Sequence, residues 1–66
     1  MKNEEVLLNL AFKLKGQRKI KNVTQEQVLH ETGIHIARIE QGKRDVSYTT
    51  LLKLAEYFDV SLSAFE

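Results

Sequence analysis

The sequence contains no cysteine, no proline and no tryptophan, and it has only three glycines in 66 residues. Without cysteine there can be neither disulfides nor cysteine-rich zinc sites, the devices by which small secreted domains compensate for thin cores. Two histidines, His30 and His35, are too few for a conventional metal site, and no glycine-rich phosphate loop is present, so neither metal nor cofactor is expected. Long apolar runs are lacking as well. The uncharged stretch Val6–Phe12 falls far short of the roughly 20 residues that span a bilayer, and no small-residue cleavage site follows it. A cytoplasmic chain with no membrane partner is the expectation.

No single charge dominates either. Ten Lys+Arg against nine Asp+Glu leave a formal net charge of +1, a total that points to no polyanion. The distribution is less even. Lys13, Lys15, Arg18, Lys19 and Lys21 follow one another with no acid between them, Lys43 and Arg44 form a second cationic spot, and Leu54–Glu66 carries Glu56, Asp59 and Glu66 without a base. A nearly neutral molecule of this kind can present one basic face. With 42% hydrophobic residues the chain can build one core. A chain of this length hides only about 60% of its unfolded surface, so residues 1–66 are expected to form a single domain.

Apolar spacing is helical throughout, and no window alternates as a strand does. Leu7, Leu10, Ala11 and Leu14 recur at i, i+3, i+4, i+7, which predicts a first helix over Glu4–Ile20 that stops near Asn22. Thr24-Gln25-Glu26-Gln27 fits a capping box and opens a second helix carrying Val28 and Leu29. Thr32 offers another cap, Ile36 and Ile39 an apolar pair, and Gly42 a stop, predicting a third helix over Gly33–Gln41. Ser47 caps a fourth helix with Leu51, Leu54, Ala55 and Phe58 inside and Asp59 as its stop. Ser61 caps a last turn with Leu62 and Phe65. The fold class expected is all-α, with five short helices.

The residues also carry a family resemblance. Thr24-Gln25-Glu26-Gln27-Val28, then Ile36, the run Arg38-Ile39-Glu40-Gln41-Gly42-Lys43-Arg44, Ser47, Leu51-Leu52-Lys53-Leu54-Ala55 and Val60-Ser61-Leu62 resemble the helix-turn-helix domain of the Xre family. That family includes Cro and the lambdoid phage repressors. Arg18, six residues before Thr24, stands where the family keeps an arginine. The resemblance covers about residues 10–66. It implies a compact five-helix, lambda-repressor-like fold that reads double-stranded DNA as a homodimer, with helix two across the major groove and helix three in it.

The spacing departs from the family at one place. Gly33 lies seven residues before Glu40, where the family places about ten between the glycine of the turn and this glutamate. Anchoring on Ile36 and Ile39 makes Thr32 the cap of a full third helix and shortens the turn by three residues; anchoring on Gly33 truncates the third helix instead. The first keeps the cap and the core spacing and is the expectation.

On such a helix Ile36 and Ile39 face the core, while Ile34, Ala37, Arg38 and Gln41 fall on the opposite side, with His35 beside them. Arg38 can give two parallel hydrogen bonds to guanine, Gln41 can pair with adenine, and Ile34 or Ala37 can touch a thymine methyl. The bland alternative is that these are ordinary solvated or packing residues. Phosphate contacts are a separate class. Gln25 is the family's phosphate-gripping glutamine, aided by the N–H groups that follow Thr24. Lys43, Arg44, Tyr48 and Thr49 stand at element ends where a DNA backbone would pass. His30 reads better as a surface residue of helix two.

Arg18 continues the inward stripe of helix one, where an unpaired guanidinium would be costly. The resemblance implies a structural ion pair between Arg18 and Glu40. No catalytic partner stands at a fixed spacing from Glu40, and no nucleophile motif or small-molecule site is indicated, so an enzyme is not expected. One half-site buries too little surface for tight binding, and the apolar candidates for a dimer interface are Leu62 and Phe65 together with Leu8 and Phe12. The function implied is a sequence-specific DNA-binding transcription regulator. The alternative is a protein-interaction module, antitoxin-like or anti-repressor-like, that keeps the fold.

Overall fold

The computed structural model describes residues 3–66. Its elements follow in the order α1 (Asn3–Lys21), α2 (Gln25–Thr32), α3 (Ile36–Ile39), α4 (Tyr48–Phe58) and a 3-10 turn at Leu62–Phe65, and no strand occurs among the described residues. The expected fifth helix is thus a single 3-10 turn, and the architecture is four α-helices closed by that turn.

Helix ends are set by local chemistry. Asn22 adopts φ 61°, the left-handed conformation that stops α1, and its N–H donates to Lys19 O at 3.1 Å. Both halves of the Thr24 capping box form: Gln27 N–H donates to Thr24 Oγ1 at 3.0 Å, and Thr24 N–H donates to Gln27 Oε1 at 2.9 Å. At α4 the Ser47 hydroxyl accepts from Thr50 N–H at 3.2 Å, and Asp59, at φ 57°, ends the helix. Ser61 departs from expectation. Its hydroxyl meets that of Ser63 at 2.6 Å and caps no backbone N–H.

The larger correction concerns the third helix, expected over Gly33–Gln41 with Thr32 as its cap. Thr32 is the last residue of α2, where its hydroxyl donates to Val28 O at 2.6 Å and accepts from Ile34 N–H at 3.0 Å. Gly33, at φ 76°, is the left-handed C-cap of α2 and donates its N–H to Leu29 O at 2.8 Å. α3 then has only four residues, with His35 before it making no side-chain cap. The three missing residues therefore come out of the third helix, as anchoring on Gly33 requires. A left-handed glycine fixes the end of α2, and the short chain left before the buried pair Ile36 and Ile39 has no room for a longer helix.

Leu14, Val28, Ile36 and Leu54 are fully enclosed, one from each helix, and Leu10, Ile39, Ala55, Phe58 and Phe65 complete the cluster around them. Burying an aliphatic side chain of this size contributes about 1.5–3 kcal/mol, so these contacts pin the one-turn α3 to the longer helices. Gly42 fixes its far end. At φ 74° it is buried, and a Cβ there would lie 2.6 Å from Leu8 Cδ2, so any other residue would carry the left-handed strain and have to push the Leu8 side chain aside.

Candidate nucleic-acid interface

Three donors converge on the carboxylate of Glu40, at the end of α3. Arg18 Nε donates to Oε2 at 2.8 Å, Arg18 Nη2 to Oε1 at 3.2 Å, and Gln25 Nε2 to Oε1 at 3.1 Å. Arg18 Nη1 adds a bond to Val23 O at 3.1 Å. The side chains of Arg18 and Glu40 are 15% and 5% exposed, so the pair is shielded from solvent. The hydrogen bond to Glu40 raises the guanidinium pKa above its ordinary value, outweighing the opposing effect of burial. This cluster ties α1, the start of α2 and the end of α3 together, and so sets where the residues between them stand.

The expected reading stripe does not survive intact. Ile34 lies in the turn before α3, half-buried against the core, where its methyl groups are engaged within the fold. Ala37 and Arg38 are exposed on α3, His35 is exposed just ahead of it, and Gln41 is exposed in the turn beyond it. A four-residue helix cannot carry an i, i+7 stripe, so Ile34 and Gln41 belong to the flanking turns.

His35, Arg38 and Arg44 line one groove with Asp45, Ser47 and Thr50, between α3 and the start of α4. Tyr48 and Thr49, both exposed, adjoin it on the first turn of α4. Lys43 faces elsewhere. It lines a second groove with Gln41 and Gly42 against Leu7 and Leu8 of α1, and Asp45 borders a groove of each of the loop's two cations. Thr24 uses its hydroxyl in the capping box. Gln25 gives one N–H of Nε2 to Glu40, which leaves the second N–H of that amide as its remaining donor, while Gln27 N–H is already taken by Thr24 Oγ1.

Two of the four residues expected at a dimer interface are placed otherwise. Phe65 is 7% exposed within the core, and Leu62 packs against that core, so the closing turn serves the chain's own interior. Leu8 and Phe12 remain 57% and 79% exposed. Sequence reasoning missed a second tie between helices: Tyr57 Oη donates to Glu31 Oε1 at 2.9 Å, and Lys21 Nζ sits 4.9 Å from the Tyr57 ring centre. Desolvation, with Glu31 second, raises the pKa of that phenol. Residues so far apart along the chain leave no local pattern by which such a contact could be found.

Among the described residues no group of histidines, cysteines and carboxylates could hold a metal ion, and no helix is long and apolar enough to cross a membrane. No curated protein and no solved structure gives a significant match to the chain. The family model described as helix-turn-helix matches residues 14–65. That span takes in the Arg18–Glu40 pair, the capped α2, the glycine turn, α3 and α4, and with it the chain belongs to the helix-turn-helix family of Xre and Cro type, a family of DNA-binding transcription regulators.

Proposed function

We propose that residues 1–66 act as one helix-turn-helix domain, a sequence-specific transcription regulator that binds a pseudo-palindromic operator as a homodimer in the cytoplasm. The observation that carries this reading is the grouping of His35, Arg38 and Arg44 around one groove at the start of α4, beside Tyr48 and Thr49. Arg38 is the one cation on α3 and the residue best suited to a guanine edge, with Ala37 and His35 next to it, while Gln41 reaches toward the duplex from the neighbouring groove against α1. Arg44, Lys43, Tyr48, Thr49, Gln25 and the N–H groups after Thr24 grip phosphates. With α3 reduced to one turn, few base edges are within reach of each protomer, and backbone contacts carry most of the affinity.

The one-turn α3 also favours a second reading, a protein-interaction module that keeps the fold while its main partner is a protein. Selection of bound duplexes from a random pool, followed by sequencing, separates the two. The DNA-binding reading expects a short two-fold consensus with half-sites about 34 Å apart. A pool that emerges unenriched favours the protein partner.

A further inference from the structure

The outer face of α1 carries a pattern that the chain leaves largely uncovered, although one edge of Leu8 packs against the Gly42 turn. Glu5, Leu8, Phe12, Gly16 and Lys19 follow at spacings of three, four, four and three, which puts them on one stripe of the helix, away from the buried Leu10 and Leu14. Phe12 is 79% exposed and Leu8 57%. Gly16 lies within the helix, where glycine is less favourable than alanine, and nothing beyond its own helix turn lies within 4 Å of where its Cβ would be. The spacing is symmetric about Phe12. Glu5, Leu8 and Phe12 precede the family-matched residues 14–65.

We propose that this stripe docks on the same stripe of a second copy, the two α1 helices packing antiparallel about a two-fold axis at Phe12. In that register residue i stands level with residue 24 − i of the second copy. Phe12 meets Phe12, Leu8 comes level with Gly16, and Glu5 comes level with Lys19. The missing side chain of Gly16 gives Leu8 a notch and lets the helices approach closely, and each end of the contact carries an ion pair of opposite charge. A parallel pairing would set Glu5 against Glu5 and Lys19 against Lys19, so charge selects the antiparallel arrangement. The contact is isologous, as closed two-fold assembly requires. It rests on the homodimer proposed above and gives that homodimer its interface, using no residue assigned to DNA.

Sedimentation equilibrium of the full chain over a range of concentrations, without DNA, tests it. The expected result is a monomer–dimer equilibrium that Phe12→Glu shifts to monomer, weakening the dimer at least about tenfold, while helix content and melting of the monomer stay unchanged. Glu5→Lys and Lys19→Glu should each weaken the dimer about fivefold, and the double exchange should restore it. A dimer indifferent to Phe12→Glu, or charge variants that the double exchange does not rescue, overturns the α1 interface and leaves the two-fold reading standing. A wild-type chain that is monomeric alone and binds duplex one to one overturns both, and one that is monomeric alone yet binds two to one overturns only the α1 interface.

Discussion

Replacing Glu40 with glutamine is expected to destabilise the fold by about 1–3 kcal/mol. The reason is the number of donors on one carboxylate. Two come from Arg18 and one from Gln25, at 2.8–3.2 Å. An amide at residue 40 turns its own N–H groups toward at least one of them and leaves a largely shielded guanidinium without its counter-charge. Arg18→Met removes the other side of the pair and also strips Val23 O of its donor. Chemical denaturation of Arg18→Met, Glu40→Gln and the double variant measures the coupling, and strictly additive losses would remove the pairing from the account. Because the folded protein raises the Arg18 pKa, the arginine's contribution is fully present below its ordinary value and is lost only as pH rises beyond it. The coupling energy should therefore show no loss from arginine deprotonation at neutral or moderately alkaline pH.

The second large effect separates reading from gripping. Arg38→Ala should cost about 1–3 kcal/mol on the preferred duplex and much less on random DNA, relaxing the choice at one base pair in each half-site. Lys43→Ala and Arg44→Ala should weaken both duplexes by similar factors, since phosphate contacts carry no sequence information. The two lysine and arginine variants also report on geometry. Arg44 lines a groove with Arg38 and Lys43 lines the groove against α1, so the expected losses at both place the DNA across both grooves, and a loss at Arg44 alone would confine it to the groove at the start of α4. Fluorescence anisotropy with specific and random duplexes checks both. Equal losses on the two duplexes for Arg38→Ala would make it a phosphate contact and leave the one-turn α3 without a reading residue.

Elements whose signals are local were legible in the sequence. The capping box at Thr24, the left-handed stop at Asn22, the Ser47 cap and the inner stripe of α4 all depend on residues within one or two turns of each other, and each forms where the pattern put it. The third helix was misjudged because two local signals competed. Thr32 can cap a helix that follows or bond back to the carbonyl four residues earlier, and Gly33 in the left-handed conformation decides for the second. That choice removes the first part of the expected reading surface and sends Ile34 toward the core. Phe65 illustrates a different limit: the periodicity of a last short turn marks an apolar face, but whether that face meets its own core or another molecule depends on packing between distant elements. The Tyr57–Glu31 bond and the Gln25–Glu40 bond are likewise tertiary, and nothing local announces them.

If this fold grips duplex DNA through its cationic loop and helix ends, its affinity for a random duplex must fall steeply as salt is raised. With Lys43 and Arg44 neutralising phosphates in each protomer, and Arg38 a third cation where it meets a phosphate of the random duplex, two protomers should give a log–log slope between about −3.6 and about −5.4, at roughly 0.9 per neutralised phosphate. Lys43→Ala and Arg44→Ala should each flatten that slope. Absence of binding at low salt, or binding whose affinity does not change with salt, would contradict the account and transfer the weight to a protein partner.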